Sequence, residues 1–334
     1  MPEGVTLTLV VIFGLAFLFD YINGFHDTAN AIATSVSTRA LKPEYAILLS
    51  ATANFLGALL FGTAVAGTIG SGIVHVADTN ALALVAALIG AIAWNLTTWL
   101  AAIPSSSSHA LIGGLMGSAW AAAGIGSIQW QNFLDKVIVP LVTSPILGLL
   151  IGLAAMVALL NLFVRANPRL LNDRFRRLQV ISAAYMALSH GSNDAQKTMG
   201  IMTLALFNAG LQKDLHVPIW VILLAATAMS LGTAAGGWRI MRTMGQRVVK
   251  LDPVHGFAAE TTAATIILGA SHLGMPVSTT HVISAAIMGV GSSDRFSAVR
   301  WGVAGNIVVA WILTIPAAGV FAAIVYTALH AVVG

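Results

Sequence analysis

The stretch Asn23-Gly24-Phe25-His26-Asp27-Thr28-Ala29-Asn30 places polar residues inside a long apolar run. A related stretch returns at His190-Gly191-Ser192-Asn193-Asp194-Ala195-Gln196-Lys197. Both stretches put an aspartate where a lipid-spanning helix should carry no charge. A charge at the centre of a bilayer costs at least ~2.5 kcal/mol on insertion scales, so such residues usually mark a pathway or a site. Asp27 and Asp194 are therefore the first candidates for functional residues.

The composition around these stretches is that of an integral membrane protein. The chain has 334 residues, of which 57% are hydrophobic and 8% are charged, whereas a soluble domain carries about 25% charged residues. The net charge of +4 does not indicate nucleic-acid binding, because the basic residues cluster in short connections. The chain has no cysteine, which excludes disulfides, thiolate metal sites and cysteine nucleophiles.

The hydropathy pattern predicts an all-α protein with five helical segments in each half, each near the ~20 residues that cross a bilayer. The predicted segments cover residues 5–38, 44–69, 80–102, 109–124 and 137–163, then 178–208, 217–237, 258–273, 281–293 and 301–332. Gly24 and Gly191 are expected to break two of these helices, near residues 22–27 and 190–195.

Basic residues fall in alternate connections between the predicted segments. The positive-inside rule places these connections in the cytoplasm and both termini outside the cell, in a multi-pass protein of the plasma membrane. No basic group precedes Val5, so a cleaved signal peptide is not expected. The basic residues in question are Arg39, Lys42, Arg165, Arg169, Arg174, Arg176, Arg177, Arg239, Arg242, Arg247, Lys250, Arg295 and Arg300.

The two halves repeat their motifs in the same order. Asp27 matches Asp194, and the run Pro104-Ser105-Ser106-Ser107-Ser108-His109 matches Pro276-Val277-Ser278-Thr279-Thr280-His281. Because each half has an odd number of segments, the halves should cross the membrane in opposite directions, as in secondary transporters with inverted repeats. The predicted units are a first repeat at 1–163, a basic cytoplasmic linker at 164–177 and a second repeat at 178–334.

The acid-bearing stretches have the oxygen ligands of a cation site. Carboxylates, amides and backbone carbonyls freed at a helix break suit Na⁺ or a proton relay, and we expect Asp27 to cap the helix that begins at Thr28. The coupling-cation candidates are Asp27, Asn30, Asn193 and Asp194, with Na⁺ expected at Asp27, Asn30 and Asp194. The alternative is a pair of buried aspartates that only satisfy helix ends.

The hydroxyl-rich runs predict an anion site. Each run follows a proline and opens a helix, so its N–H groups and hydroxyls can converge on an anion. The helical hairpins that carry the runs are expected either to re-enter the membrane or to cross it. The alternative is two ordinary turns capped by serine or threonine.

Further polar residues near the motifs are auxiliary candidates: Asn23, Thr28, Lys197, His109, His281 and Glu260. Lys197 can form an ion pair with Asp194 or contact an anion. His109 and His281 can be packing residues or ligands. Glu260 can be a second cation ligand or a residue at the cytoplasmic end of its helix.

These motifs resemble those of the PiT inorganic phosphate transporter family, in its bacterial low-affinity branch. The resemblance is carried by residues 24–31, 191–200 and 276–281 and extends over nearly the whole chain. It implies symport of inorganic phosphate with Na⁺ or H⁺, in some cases as a neutral metal–phosphate complex, and a homodimer. His26 departs from the more common Gly-Ala-Asn-Asp form, and Lys197 stands where many relatives repeat asparagine.

The residues give a chemical reason for phosphate. Hydroxyls and helix N-termini serve its anionic oxygens, and a carboxylate can accept its O–H, which sulfate lacks. Repulsion between this dianion and the two aspartates requires co-bound cations or protonated acids. The expected phosphate ligands are Ser106, Ser107, Ser108, Ser278, Thr279, Thr280, Asp27, Asp194 and Gln196.

Two other functions fit the same sequence. The first is transport of another oxyanion such as sulfate on the same scaffold. The second is an intramembrane hydrolase that uses a hydroxyl nucleophile with His109 or His281. Adjacent residues such as Ser108 and His109 point apart on a helix, which disfavours the hydrolase. We therefore expect a transporter with no cofactor, not an enzyme, and an ATP-binding loop motif is absent from the sequence.

Overall fold

The computed structural model describes residues 3–237, 240–241 and 243–333, and these residues form helices joined by short connections. The first half contains α1 (Glu3–Ser37), α2 (Pro43–Leu60), α3 (Ala64–Ser71), α4 (Ala81–Leu100), α5 (Ser107–Ala123) and α6 (Trp130–Leu162). The second half contains α7 (Pro168–Asn208), α8 (Ile219–Ala235), α9 (Pro253–His272), α10 (Thr279–Ser292) and α11 (Trp301–Val333). The all-α prediction is confirmed.

Two predicted boundaries differ from the structure. The segment predicted at 44–69 is divided into α2 and α3, where Gly62 adopts a φ of +81° that favours glycine. The linker predicted at 164–177 is a loop only in part, because α7 already begins at Pro168. Asn167 caps that helix by accepting a hydrogen bond from the backbone N–H of Arg169, and Pro168 suits the first helical position.

The helix breaks predicted at Gly24 and Gly191 are wrong. Both α1 and α7 run through these positions without interruption. The glycines are needed for close helix packing instead: a Cβ at Gly24 would lie 2.3 Å from the carbonyl oxygen of Met229, and one at Gly191 would lie 2.2 Å from that of Asn54. Asp27 therefore lies inside a continuous helix and does not cap one.

The two halves pack in matching ways. Helix α1 packs on α8 as α7 packs on α2, and α1 and α7 contact each other at the centre. The hairpin α4–α5 packs on α11 of the second half, and the hairpin α9–α10 packs on α6 of the first half. This exchange agrees with a duplicated architecture, while the opposite orientation of the two repeats stays a prediction.

Five of the described helices are long and apolar enough to cross a membrane: Leu7–Ser37, Pro43–Leu60, Ala81–Leu100, Trp130–Leu162 and Trp301–Val332. Large apolar side chains such as Ile146 on α6 and Ile312 on α11 are exposed on the surface of the chain, where lipid would cover them. The chain is thus a multi-pass membrane protein.

Some of the predicted cytoplasmic basic residues cannot be compared with the structure. Arg239 and Arg242 lie outside the described residues.

Candidate functional site

The first turns of α5 and α10 are built alike. Ser106 Oγ accepts a hydrogen bond from the backbone N–H of His109 at 3.2 Å, and Ser278 Oγ accepts one from His281 at 3.2 Å. These two serines therefore act as helix caps. The next residues of each run, Ser107 and Ser108 in the first and Thr279 and Thr280 in the second, are almost wholly buried.

The tips of the two hairpins meet inside the protein. Ser108 Oγ donates to the carbonyl oxygen of Val277 at 3.4 Å. The rings of His109 and His281 lie with their centroids 4.8 Å apart. The structure thus brings both hydroxyl-rich runs to one place, as the sequence predicts.

Helix α7 supplies the charged groups beside the tips. The Lys197 ammonium donates to Asp194 Oδ1 and to Ser108 Oγ, and it lies 3.3 Å from the carbonyl oxygen of Val277. Thr279 Oγ1 donates to Asp194 Oδ2 at 3.1 Å. Lys197 therefore forms the ion pair with Asp194 and also reaches the first hairpin tip.

Helix α1 approaches the same tips from its own polar stretch. Asn30 Nδ2 donates to Thr280 Oγ1 at 2.8 Å and lies 3.4 Å from Thr279 Oγ1. His26 Nδ1 lies 2.6 Å from Asp27 Oδ1, and His26 Nε2 lies 3.1 Å from Thr98 Oγ1. Both acid-bearing helices and both hairpins thus contribute to one buried polar cluster.

Asp27, His190 and Asp194 form a compact group within this cluster. One ligand atom from each lies within 4.8 Å of the other two. His190 Nε2 lies 3.2 Å from Asp194 Oδ2, and its Nδ1 lies 3.2 Å from Asn54 Oδ1. Two carboxylate oxygens and an imidazole nitrogen are suitable ligands for a cation. His190 was not among the predicted ligands, although its position one turn before Asp194 could have indicated it.

The charge of the cluster is close to balanced before any ligand binds. Asp27, Asp194 and Lys197 are each at most 2% exposed, and together they leave a net charge of −1 while the histidines are neutral. A phosphate dianion would raise the total to −3 in a poorly solvated place. Its binding therefore requires cations, or protons on His26, His190 or the carboxylates.

Three predicted residues have other partners, and the amide oxygen of a fourth has none among the described residues. Gln196 Oε1 accepts from the backbone N–H of Val65 at 2.8 Å, so it caps the free N–H groups at the start of α3 rather than serving an anion. Asn193 Nδ2 donates to Ser271 Oγ at 2.8 Å, and Thr28 Oγ1 donates to the carbonyl oxygen of Gly24 at 2.6 Å. Asn23 Oδ1 has no hydrogen-bond partner among the described residues.

Glu260 belongs to a separate polar group. Thr34 and Ser182 donate hydrogen bonds to its two carboxylate oxygens, and Gln179 Nε2 lies 3.2 Å from Oε1. Thr34 follows Asp27 by two helical turns, so this group lies roughly 10 Å from the central cluster along α1. Glu260 is fully buried, with donors from both α1 and α7 around it.

The two histidines after the hydroxyl runs are packing residues in this structure. The His281 ring stacks on Trp311 with centroids 3.9 Å apart, and both its ring nitrogens lack hydrogen-bond partners among the described residues. His109 Nδ1 likewise has none in that part of the chain. Among the described residues, neither ring makes a hydrogen bond that would activate a neighbouring hydroxyl as a nucleophile.

One buried acid, Asp20, lies outside the motifs that predict the site. Asp20 on α1 is fully buried, and Thr198 of α7 donates a hydrogen bond to its Oδ2. The available signal was its position seven residues before Asp27, which places both on one face of the helix.

A multi-pass helical protein in which two acid-bearing helices meet two hydroxyl-rich hairpin tips has an architecture suited to a membrane transporter. The chain belongs to the phosphate transporter family, whose model matches residues 23–322. This confirms the resemblance that its motifs carry. Its family and relatives are transporters, so the chain is not an enzyme.

Two curated bacterial relatives and one solved structure illustrate the match. The chain is 50% identical over 321 residues to a probable low-affinity inorganic phosphate transporter of Rhizobium meliloti (strain 1021), covering 96% of each chain. It is 48% identical over 325 residues to one of Bacillus subtilis (strain 168), again covering 96% of each. A solved structure of a sodium-dependent phosphate transporter aligns with a TM-score of 0.88 and 28% identity, over 98% of this chain and 100% of that one.

Proposed function

We propose that the protein is a secondary symporter of inorganic phosphate, driven by Na⁺ or H⁺, that works by alternating access around the central cluster. One observation carries the proposal: both hydroxyl-rich tips and both aspartate-bearing helices meet at a single buried place. The family and the names of its relatives supply the substrate.

The anion site is proposed at the two tips. The helix N-termini of α5 and α10 are positive ends, and Ser107, Ser108, Thr279 and Thr280 add hydroxyls beside them. Lys197 supplies one full positive charge at the same place. These groups can replace the hydration shell of a phosphate oxygen without any metal ligand.

The cation site is proposed at Asp27, His190 and Asp194, with Asn30 beside them. Placing a cation there offsets the negative charge that phosphate adds, so the two ligands favour each other's binding. This mutual dependence is the physical basis of symport. Coupling to Na⁺ is supported by the structural neighbour, a sodium-dependent transporter. Coupling to H⁺ is the alternative, because the imidazoles of His26 and His190 beside the aspartates can bind a proton.

Proteoliposomes loaded with the purified protein would test this function. We expect labelled phosphate to accumulate when a Na⁺ gradient or a pH gradient is imposed alone, and the effective gradient identifies the coupling ion. Excess unlabelled sulfate should compete poorly. Equal competition by sulfate would favour the general oxyanion permease, and absence of accumulation under both gradients would contradict symport.

Two substitutions link the assay to the site. Asp27→Asn and Asp194→Asn should insert and fold but lose uphill accumulation, because a neutral amide does not offset a cation. Asp135→Asn is the matched control, since Asp135 is an exposed acid far from the cluster in sequence. Wild-type accumulation in either central variant would return that aspartate to a structural role.

Dimerisation and carriage of phosphate as a metal complex are further proposals from the family resemblance. Crosslinking in membranes would test the first. Phosphate uptake measured with and without divalent metal would test the second.

A further inference from the structure

Lys197 is a buried lysine whose ammonium lies among oxygen atoms. Its side chain is 1% exposed. The ammonium donates to Asp194 Oδ1, to Ser108 Oγ and to the carbonyl oxygen of Val277. These acceptors use all three N–H donors of an ammonium group. A carboxylate, a hydroxyl and a backbone carbonyl are also the ligands that hold a hard cation, so the ammonium occupies a place with the chemistry of a cation site.

The matching position in the first motif carries an amide. Lys197 follows Asp194 by three residues in the second motif. Asn30 follows Asp27 by the same interval in the first motif. The amide oxygen of Asn30 is buried and has no hydrogen-bond partner among the described residues. An amide oxygen can coordinate a cation, whereas an ammonium has no lone pair with which to do so.

The contacts of these two side chains also correspond. Lys197 donates to Ser108 Oγ of the first hairpin tip. Asn30 Nδ2 donates to Thr280 Oγ1 of the second tip at 2.8 Å. Ser108 and Thr280 each stand directly before the histidine of their hydroxyl-rich run. Lys197 and Asn30 therefore hold equivalent places against equivalent tips, and they differ in charge.

We propose that the Lys197 ammonium is a built-in substitute for a transported cation in the second half of the central cluster. It offsets the charge of phosphate as a bound Na⁺ would, but it stays with the protein and draws no energy from an ion gradient. Mobile cations are left to the site of Asp27, His190 and Asp194. The inference rests on the proposed symport, since it assigns which positive charge travels with phosphate and which one stays.

Lys197→Asn tests the substitution, because it gives the second motif the residue that the first motif has at this position. Phosphate is titrated calorimetrically into detergent-solubilised protein at several Na⁺ concentrations, with choline keeping the ionic strength constant. In choline alone, we expect the variant to bind phosphate at least about tenfold more weakly than the wild type, because a buried positive charge is lost. Added Na⁺ should restore its affinity. The logarithm of its dissociation constant should fall more steeply with the logarithm of Na⁺ concentration than in the wild type, with a slope difference of about one, because one more Na⁺ binds.

Two control variants separate this effect from a general response to Na⁺. Lys197→Met removes the charge and offers no oxygen ligand, so Na⁺ should not restore its phosphate affinity. Lys213→Asn changes an exposed lysine and should behave as the wild type does. Equal recovery of Lys197→Met and Lys197→Asn in Na⁺ would contradict the proposal, because the amide oxygen would then play no part.

Two other results would also overturn it. Wild-type affinity of Lys197→Asn in choline would mean that phosphate does not need the ammonium charge. Weak binding that Na⁺ leaves unchanged, in a variant with a cooperative thermal unfolding transition, would mean that the ammonium serves phosphate or the fold in a way that a bound ion cannot replace. If Lys197→Asn does not fold, Lys197→Gln takes its place with the same expectations, because it also carries an amide oxygen.

Binding of labelled Na⁺ without phosphate keeps this inference separate from the proposed function. We expect Lys197→Asn to bind about one Na⁺ more per protein than the wild type in equilibrium dialysis, because Asp194 has lost its cationic partner. That gain would support the substitution even if the wild type carried no phosphate. Equal Na⁺ binding by the two folded proteins would contradict it.

Discussion

Neighbouring serines at the first hairpin tip have different partners and therefore different expected roles. Ser106 Oγ caps α5, whereas Ser107 Oγ is buried and has no hydrogen-bond partner among the described residues. A hydroxyl left without a partner in the protein is available to a ligand. Thr279 at the second tip donates to Asp194 and can turn the same hydroxyl toward an anion.

We predict that Ser107→Ala and Thr279→Ala weaken phosphate binding by about tenfold or more. A hydrogen bond to a charged partner contributes roughly 1.5–3 kcal/mol, and ~1.4 kcal/mol corresponds to a factor of ten. Calorimetric titration of phosphate into the purified variants would measure the change.

Ser106→Ala provides the contrast. Loss of a helix cap should lower the free energy of unfolding by about 0.5–2 kcal/mol with a smaller effect on phosphate affinity. If neither Ser107→Ala nor Thr279→Ala raises the dissociation constant, the tips are only helix ends and the anion binds elsewhere.

A histidine between two carboxylates lies at the end of the second hairpin that is away from its tip. Asp252 caps α9, and its Oδ1 lies 2.8 Å from His255 Nδ1, while His255 Nε2 lies 3.4 Å from Asp294 Oδ2. Burial disfavours the charged imidazole, but the two carboxylates outweigh it and raise the pKa of His255 above 6.5. The imidazolium thus ties the start of α9 to the residues after α10.

The raised pKa of His255 determines how the stability of the folded protein depends on pH. A group with a raised pKa in the folded state stabilises fully below its ordinary pKa and loses this effect as pH rises through the folded value. The pKa of Asp252 is lowered despite its burial, because His255 bonds to it, so its own contribution changes only in acid. We predict that His255→Gln lowers the unfolding temperature more at about pH 6 than at about pH 9. Equal losses at both pH values would contradict the ion pair.

At the scale of helices, glycines set the distance between the central pair and its neighbours. A Cβ at Gly24 would overlap backbone atoms of α8, whereas a Cβ at Gly14 on the same helix would have no neighbour within 4 Å among the described residues. Gly14 therefore offers a matched control for substitution in one helix.

We predict that Gly24→Ala destabilises the protein by about 1–3 kcal/mol, because α1 and α8 must separate. Gly14→Ala should be neutral or stabilising by up to ~1 kcal/mol, since alanine favours helix over glycine. Thermal unfolding in detergent would compare them. Similar unfolding temperatures for the two variants would mean that the helices have room at Gly24.

These elements also show how far the sequence can be interpreted. The duplicated motifs predict the hairpin tips and the two aspartates, because charges and hydroxyls inside apolar runs are visible in the sequence itself. They do not distinguish a glycine that breaks a helix from one that lets two helices approach, and Gly24 and Gly191 are of the second kind. The role of Gln196 depends on a neighbouring helix, because its side chain caps α3, and spacing within one segment does not reveal that neighbour.

At the scale of the whole molecule, α7 is longer than a membrane is thick. Its 41 residues correspond to roughly 62 Å of helix, against a hydrocarbon core of about 30 Å. Arg174 precedes Asp194 by twenty positions, or roughly 30 Å. If Asp194 lies near the midplane, the basic start of α7 projects into water, which agrees with a cytoplasmic position for it.

The last prediction concerns the orientation of the two repeats. Equivalent connections should lie on opposite sides of the membrane, because the repeats are expected to be inverted. Lys42 lies between α1 and α2, and Lys213 lies in the equivalent connection between α7 and α8; both are exposed. Single cysteines at these positions can be labelled selectively in this cysteine-free chain.

We expect Lys213→Cys and Asp78→Cys to react with an impermeant maleimide in intact cells. Lys42→Cys and Arg174→Cys should react only after the membrane is permeabilised, because the basic connections are held in the cytoplasm. The reversed pattern would still agree with inverted repeats, but it would place the basic connections outside the cell and both termini in the cytoplasm. Labelling of Lys42→Cys and Lys213→Cys from the same side would contradict the inversion itself, since the equivalent loops would then lie on one face.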